Sequence, residues 1–135
     1  MPNDSKAVVQ AFVEEVQNKG NIDAAGNFIA PDLVDHSSLP GLPSGLDGAK
    51  AIFSMIRAGF SDHDAVIHDQ VAEGDKVVTR KSFTGTHDGE FLGVPPTGRR
   101  VTIDVIDIVR VQDGLIVEHW NTANLLGAMQ QMGAA

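Results

Sequence analysis

The sequence predicts an α+β fold, with about three N-terminal helices packed on a mixed or antiparallel sheet that the rest of the chain builds. Apolar residues recur at helical spacing up to about residue 59, and from His63 onward they follow the two-residue period of strands. Short glycine-containing turns separate the later segments, as in a meander of antiparallel strands. Helices gathered before such a meander are typical of α+β domains.

The helical part of the chain is recognised by apolar stripes between capping and breaking residues. Val9, Phe12 and Val16 belong to the first stripe, and glycine or proline lies at or beyond the end of each helix. In order, we expect a helix from Asp4 or Ser5 to about Lys19, a short helix at 22–29 capped by Asn21, a strand at 33–36, a loop at 37–48 and a helix from Ala49 to near Gly59.

The sheet part is divided by two hairpin turns, Glu73-Gly74-Asp75 and Gln112-Asp113-Gly114, and by the longer loop DGEFLGVPPTG at 88–98. In order, we expect strands at 65–73, 76–87, 99–111 and 115–124, followed by a short helix at 125–132. The sequence contains neither repeats nor low-complexity tracts. Its 135 residues are therefore predicted to form one domain, 1–135.

Composition excludes several classes of partner. The net charge is −8 and no cluster of Lys and Arg exists, which argues against nucleic acid and against an acidic membrane surface. No stretch approaches the ~20 apolar residues of a membrane span, and the first residues, MPNDSKAVVQAFVEEV, carry charges where a signal peptide needs an apolar run. The chain has no cysteine, so it has neither disulfides nor a thiol nucleophile. We expect a cytoplasmic protein.

The last hairpin decides which polar residues share a face of the sheet. A three-residue turn with Gly114 in the left-handed conformation would place Asp107 opposite His119 and Val105 opposite Asn121. A two-residue turn at Asp113-Gly114 would slip this register by one and move His119 away from Asp107. We favour the first register.

In the favoured register, one face of the sheet carries Asp107, His119 and Asn121 among valine and alanine side chains. Mostly apolar surroundings with a few polar groups are typical of small-molecule pockets. The alternative is that these are half-buried polar residues without a ligand. The opposite face carries Ile106, Ile108, Arg110, Glu118, Trp120 and Thr122, and could be an interaction surface.

Familiar catalytic and metal-binding motifs are absent. The sequence has no Gly-x-Ser-x-Gly, no Walker loop and no dinucleotide glycine pattern. The five histidines show no short metal-ligand spacing, so we expect no metal site. His63 and His68 are interpreted as surface residues. His36 and His87 lie beside loops, where each could line a pocket mouth or be an ordinary surface residue.

The segment FTGTHDGEFLGVPPTGRRVTIDVIDIVRVQDGLIVEHW at 83–120, with the ending LLGAMQQMG, resembles the SnoaL-like polyketide cyclase or ester cyclase family. The most specific pieces are Gly93-Val94-Pro95-Pro96-Thr97-Gly98 and Glu118-His119-Trp120. The resemblance implies an NTF2-like α+β cone around an apolar pocket, and a homodimer formed through the outer surface of the sheet. It also implies a cofactor-free aldol closure of a polyketide ester, in which a carboxylate removes a proton next to a carbonyl.

The chain departs from the family at the residues that follow His-Trp. Family members commonly carry Asp where this chain has Asn121 or Asn124. An amide can donate a hydrogen bond to an enolate but cannot accept a proton at neutral pH. The departure leaves three hypotheses: an acid/base enzyme, a binding protein without chemistry, or an epoxide-opening or hydratase-type enzyme using Asp107, Arg110 and Asn121.

For the enzyme hypothesis we expect His119 to be the base, supported by Asp107, with Asn121 donating to the oxyanion and His36 as a second acid or base. The ligand is expected to be a small apolar carbonyl compound. Residues expected to contact it are Asn124, Trp120, His87, Phe53 and Val105.

Overall fold

The computed structural model describes residues 4–37 and 39–134, so residue 38 of the predicted loop lies outside the described residues. Its elements follow the predicted order. They are α1 (Asp4–Phe12), which continues as a π-helical turn (Val13–Asn18), a 3-10 helix (Ile22–Asn27), β1 (Ile29–Asp35), α2 (Gly45–Gly59), β2 (Asp64–Glu73), β3 (Lys76–Thr86), β4 (Arg100–Gln112), β5 (Leu115–Ala123) and α3 (Leu125–Gln131).

The five strands form one mixed sheet in the order β1-β5-β4-β3-β2. Neighbouring strands are antiparallel except for β1, which runs parallel to β5. The prediction of helices followed by a mixed or antiparallel sheet is therefore confirmed. No helix among residues 4–37 and 39–134 is long and apolar enough to cross a membrane.

The first strand begins four residues earlier than predicted, at Ile29 instead of residue 33, and the second helix ends at Asn27. Pro31 lies within the strand. Proline lacks the N–H that a central strand needs, but β1 is an edge strand of the sheet and tolerates it. The proline expected beyond the end of the second helix is Pro31, so the prediction started the strand only after this residue, which is too late.

The predicted register of the last hairpin is wrong by two residues. Asp107 lies opposite Asn121, and His119 lies opposite Val109. The turn has two residues, Asp113 and Gly114, with φ of 53° and 77°, as a type I′ hairpin requires.

A register shift on the β5 side of the hairpin compensates for the two-residue turn, which by itself would have placed His119 and Asn121 on the face opposite Asp107. Arg110 pairs with Glu118 and Val111 with Ile116, so Val117 is an extra residue, as in a β-bulge. One residue of shift from the turn and one from the bulge leave the parity of side chains unchanged. Asp107, His119 and Asn121 therefore share a face, as predicted, although in a different pairing.

The core lies between this face of the sheet and the helices. Along β4 the odd-numbered residues from Val101 to Val111 are buried, while Ile106 is 46% exposed on the outer face. Asp107 is the one charged residue in that buried row, where the alternation would otherwise favour an aliphatic side chain. The sheet side of the apolar core thus contains one charged side chain in the buried row of β4.

Candidate functional site

A cavity of about 360 Å³ separates the helices from the inner face of the sheet. Aliphatic and phenylalanine side chains form most of its wall, which is the usual character of a small-molecule pocket. The polar residues that line it are Gln17, Asp35, Ser37, His63, Thr79, Lys81, Thr84, Asp107, His119 and Asn121.

His119 lies between two carboxylates. Its Nδ1 is 3.0 Å from Asp35 Oδ1, and its Nε2 is 2.8 Å from Asp107 Oδ1. Asp35 reaches it because β1 runs beside β5, where Asp35 is the direct neighbour of His119. Asp107 reaches it from the opposite strand as a diagonal neighbour, a distance that long side chains span.

A buried lysine balances the charge of Asp107. Lys81 Nζ lies 2.8 Å from Asp107 Oδ2, and both side chains are at most 10% exposed. The same ammonium group donates to Gln17 Oε1 at 3.2 Å. Gln17 belongs to the π-helical turn that follows α1, a local distortion that is frequent at functional sites.

Asn121 is held by both its backbone and its side chain. Its Nδ2 donates to Asp107 Oδ1 at 2.7 Å, and its backbone N–H donates to Ser37 Oγ at 2.6 Å. The Ser37 backbone N–H in turn donates to Asp35 Oδ1 at 2.9 Å. An amide nitrogen carries two hydrogens, so Asn121 keeps one donor for a ligand.

The two carboxylates hold His119 in its charged form. Burial by itself would lower its pKa, but the hydrogen bonds and charges of Asp107 and Asp35 outweigh burial and raise the pKa to about 9. The imidazolium then donates from both nitrogens. At neutral pH His119 is therefore an acid and a positive charge, with little of the neutral form that could act as a base.

Both carboxylates stay ionised. Burial would raise the pKa of Asp107, yet the Lys81 charge and the His119 hydrogen bond keep the pKa of that carboxyl far below its usual range. Burial also opposes ionisation of Asp35, but bonds from His119 and the Ser37 backbone lower the pKa of Asp35. The site combines two anions with two cations, and its groups compensate one another.

The raised pKa of His119 predicts how stability depends on pH. The folded chain binds a proton on His119 that the unfolded chain releases near pH 6.5. The contribution of His119 to the free energy of unfolding is therefore full below pH 6.5 and is lost as pH rises through about 9. We expect the free energy of unfolding to fall by about 1–3 kcal/mol over this interval. Urea unfolding at a series of pH values measures it, and the His119→Gln variant is expected to lack the slope. An equal slope in both proteins would contradict the assignment.

The family model described as SnoaL-like polyketide cyclase matches residues 7–132. The chain belongs to this family. Two curated relatives are the nogalonic acid methyl ester cyclase of Streptomyces nogalater, 28% identical over 118 residues, and the aklanonic acid methyl ester cyclase DnrD of Streptomyces peucetius, 28% identical over 122 residues. The alignments cover 86% and 88% of this chain, and 88% and 84% of the relatives.

A solved structure extends the likeness to the whole fold. IdmH from Streptomyces antibioticus is 35% identical, with a TM-score of 0.82, and the match covers 96% of this chain and 98% of that one. Membership of the SnoaL-like family and the NTF2-like fold, which the sequence resemblance implied, are therefore confirmed.

Five residues predicted for the site line the cavity of this SnoaL-like protein. They are His119, Asp107, Asn121, Phe53 and Val105. The first three form one hydrogen-bonded group around Asp107 Oδ1. Phe53 and Val105 belong to the apolar wall, from α2 and β4 respectively.

His36 and Trp120 lie outside the cavity. Their rings stack on each other at 4.9 Å, with an interplanar angle of 12°, and His36 Nε2 is 2.6 Å from Glu118 Oε2. Glu118 also accepts from Arg110 Nε at 2.9 Å. Side chains alternate along β5, so Glu118 and Trp120 project from the face opposite His119.

His87 and Asn124 are also away from the cavity. His87 is fully buried, packs on Phe60 and bonds Thr97 through Nδ1 at 2.9 Å. Asn124 caps α3, where its side-chain oxygen accepts from the Gly127 backbone N–H. His87 thus stabilises the loop that contains Thr97, and Asn124 stabilises the N-terminal end of α3. The interpretation of His63 as a surface residue is wrong, because it is buried and lines the cavity.

Asp35, Lys81 and Gln17 were not predicted. Asp35 ends a strand that was read as short, although its spacing from Leu33 already gave it the inward face. Lys81 shares its parity on β3 with Val77 and Phe83, and a lysine in a buried row is a signal that strand alternation could have shown. Gln17 carried no signal, because only the π-helical turn directs it inward.

No cluster of three or more His, Asp or Glu side chains suited to a metal ion occurs in the described part of the chain. The carboxylates of the cavity are already bonded to Lys81, His119 and Asn121. The charged groups around His119 thus bond mainly to one another within the protein.

Proposed function

We propose that the protein is a cofactor-free cyclase that closes a ring in a polyketide-type ester by acid/base chemistry. The observation that carries the proposal is the free oxygen of Asp35. Among the described residues, hydrogen bonds reach this carboxylate only through Oδ1, from Ser37 and His119, and Oδ2 is not sealed from solvent. A carboxylate oxygen open to an apolar cavity can accept a proton from a carbon next to a carbonyl.

The ring closure follows as a sequence of proton and bond changes. Asp35 Oδ2 removes a proton from the carbon between two carbonyls, and the electron pair moves to the carbonyl oxygen as an enolate. The enolate carbon attacks a further carbonyl of the same molecule, remote from these two; a carbon–carbon bond forms, the carbonyl π bond opens, and the new alkoxide takes the proton back from Asp35. No atom is gained or lost.

We assign the base to Asp35 rather than to His119, the sequence-based choice. His119 has both nitrogens bonded to carboxylates and a pKa raised to about 9 against the cost of its burial, so it is rarely neutral at pH 7. Its role is to orient Asp35 and to place a positive charge near the enolate. Asn121 donates its second amide hydrogen to the enolate oxygen.

The proposed activity is tested with the esters that appear in the relatives' names. Incubation with nogalonic acid methyl ester or aklanonic acid methyl ester is expected to give an isomer of unchanged mass, which chromatography separates from the starting ester. Recovery of unchanged ester from a protein that binds it would favour the alternative of a binding protein without chemistry.

Asn121→Ala is expected to lower the rate of this reaction by about 10²-fold, because one preorganised donor to the enolate oxygen is lost. Thr122→Ala is the matched control, since Thr122 is exposed on the outer face of the same strand. Steady-state kinetics measures both. A rate for Asn121→Ala within threefold of the control would remove Asn121 from the mechanism.

We further propose a homodimer formed through the outer face of the sheet. The exposed valine and isoleucine side chains on the strands support it, with Val66 46%, Val71 64% and Ile106 46% exposed. Ile106→Glu is expected to convert the dimer into a 14.3 kDa monomer, because it buries an unpaired charge at the interface. Light scattering measures the mass, with the outer-face Thr122→Ser as control. A monomeric wild-type protein would contradict the proposal.

We also propose a cytoplasmic location. The chain contains no cysteine, so its stability requires no oxidising compartment. Fractionation of the producing cells tests this, and recovery in the secreted fraction would refute it.

A further inference from the structure

His63 is a cavity residue that the proposed mechanism does not use. It precedes β2, is only 7% exposed, and lines the cavity together with Phe60 and Phe83. Its ring lies 5.9 Å from that of Phe83. A buried polar side chain normally has hydrogen-bond partners for its polar atoms, so each nitrogen of His63 needs an account.

Nδ1 of His63 is occupied by an arginine. Arg57 Nη1 lies 3.2 Å from His63 Nδ1 and also donates to the Gln17 carbonyl oxygen. A guanidinium is always a donor, so Nδ1 must be the acceptor of this hydrogen bond. The neutral ring then carries its hydrogen on Nε2.

Nε2 of His63 has no hydrogen-bond partner among the described residues, and it is not one of the buried polar atoms that are closed to solvent. Burial and the Arg57 charge lower the pKa of His63, which keeps the ring neutral. The cavity therefore has a fixed, uncharged N–H donor with an empty acceptor position.

This donor and the Asp35–His119–Asp107 group lie in different parts of the same cavity. Phe83 is near both parts, because its ring centre is 5.1 Å from Nζ of Lys81, the partner of Asp107, and 5.9 Å from the ring centre of His63. Gln17 connects the two parts through the backbone, accepting from Arg57 at its carbonyl and from Lys81 at its side chain. A ligand that covers Phe83 can reach both parts at once.

We propose that His63 Nε2 donates a hydrogen bond to a neutral carbonyl oxygen of the ligand, at the end remote from the reacting carbonyl. The ligand is thus a flat apolar compound with two separated carbonyl groups. An anionic group is disfavoured at this position, because the neutral His63 ring offers no charge to balance it. The location of the reacting end rests on the proposed function, but the hydrogen bond itself does not.

The test uses binding without turnover. 2,6-Diacetylnaphthalene is the probe, and its affinity is measured by calorimetry for wild type, His63→Gln and His63→Leu. Glutamine keeps an amide donor near the position of Nε2, and leucine removes it. We expect His63→Leu to bind the probe about 3- to 10-fold more weakly than wild type, and His63→Gln to stay within twofold.

Two results of the affinity comparison would overturn the proposal. One is equal affinity in wild type and His63→Leu, and the other is equal weakening in both variants. In addition, 6-acetyl-2-naphthoic acid is expected to bind more weakly than the diketone. Tighter binding of the acid that depends on His63 would show an anion site instead of a carbonyl site.

A measurement on the wild-type protein covers the case in which a variant fails to fold. The ¹⁵N spectrum of the histidine rings is expected to show His63 protonated at Nε2, with this resonance shifting when 2,6-diacetylnaphthalene binds. A proton on Nδ1, or a resonance that does not move in the bound protein, would refute the donor. Neither readout requires cyclase activity, so failure of the proposed function leaves this test intact.

Discussion

Asp35→Asn is expected to lower the rate of ring closure by about 10²- to 10⁴-fold, the usual contribution of a general base. Asparagine has nearly the same shape and can still accept from the Ser37 backbone N–H, which reaches Asp35 Oδ1 at 2.9 Å. The substitution removes the ability of the side chain to take a proton, together with one of the two negative charges beside His119. Single-turnover kinetics with the methyl esters measures the chemical step apart from product release.

The matched control for this prediction is Glu118→Gln. Glu118 is also a carboxylate bonded to a histidine, 2.6 Å from His36, but it lies on the outer face of the sheet. The rate of ring closure in the Glu118→Gln variant is expected to stay within threefold of wild type. If Asp35→Asn retains activity while His119→Gln loses it, the proton acceptor is His119, as the sequence alone suggested.

Lys81→Met is expected to lower the free energy of unfolding at pH 7 by about 3–5 kcal/mol, because removing one partner of a buried ion pair leaves an uncompensated charge. Asp107 would keep His119 and Asn121 as partners but lose the ammonium group 2.8 Å from Oδ2. Methionine preserves most of the length and apolar contact of the lysine stem. Urea unfolding followed by circular dichroism measures the change.

Arg80→Met is the control for Lys81→Met, since the two positions are adjacent on β3 but face opposite sides. Arg80 pairs with Asp69, and both side chains are more than half exposed. Exposed pairs contribute about 0–1 kcal/mol. Comparable losses in the two variants would mean that burial of the Lys81–Asp107 pair has no special weight in stability.

The asparagine at position 121 now has a structural reason. Its Nδ2 lies 2.7 Å from Asp107 Oδ1, within the hydrogen-bonded group around that carboxylate. An aspartate at 121 would place two carboxylates in contact, and one of them would be forced toward its neutral form. The amide is compatible with an ionised Asp107, and the carboxylate function is available on Asp35 instead. The departure from the family pattern therefore does not by itself disable the site.

The order of helices and strands was predictable because it depends on local periodicity. Apolar stripes in α1 and α2 and the two-residue alternation of β4 hold whatever the rest of the chain does. The early start of β1 was not predictable in this way. Pro31 can be a strand residue only at an edge, and which strand lies at the edge is a property of the assembled sheet.

The sequence by itself determined the α+β class and the shared inner face of Asp107, His119 and Asn121, because side-chain parity along a strand is a local property. Only the tertiary structure decided which groups meet His119 and fill the cavity. The bulge at Val117 set the pairing, the parallel alignment of β1 with β5 brought in Asp35, and the π-helical turn brought in Gln17. These contacts join residues distant along the chain, and local patterns contain no information about such distances.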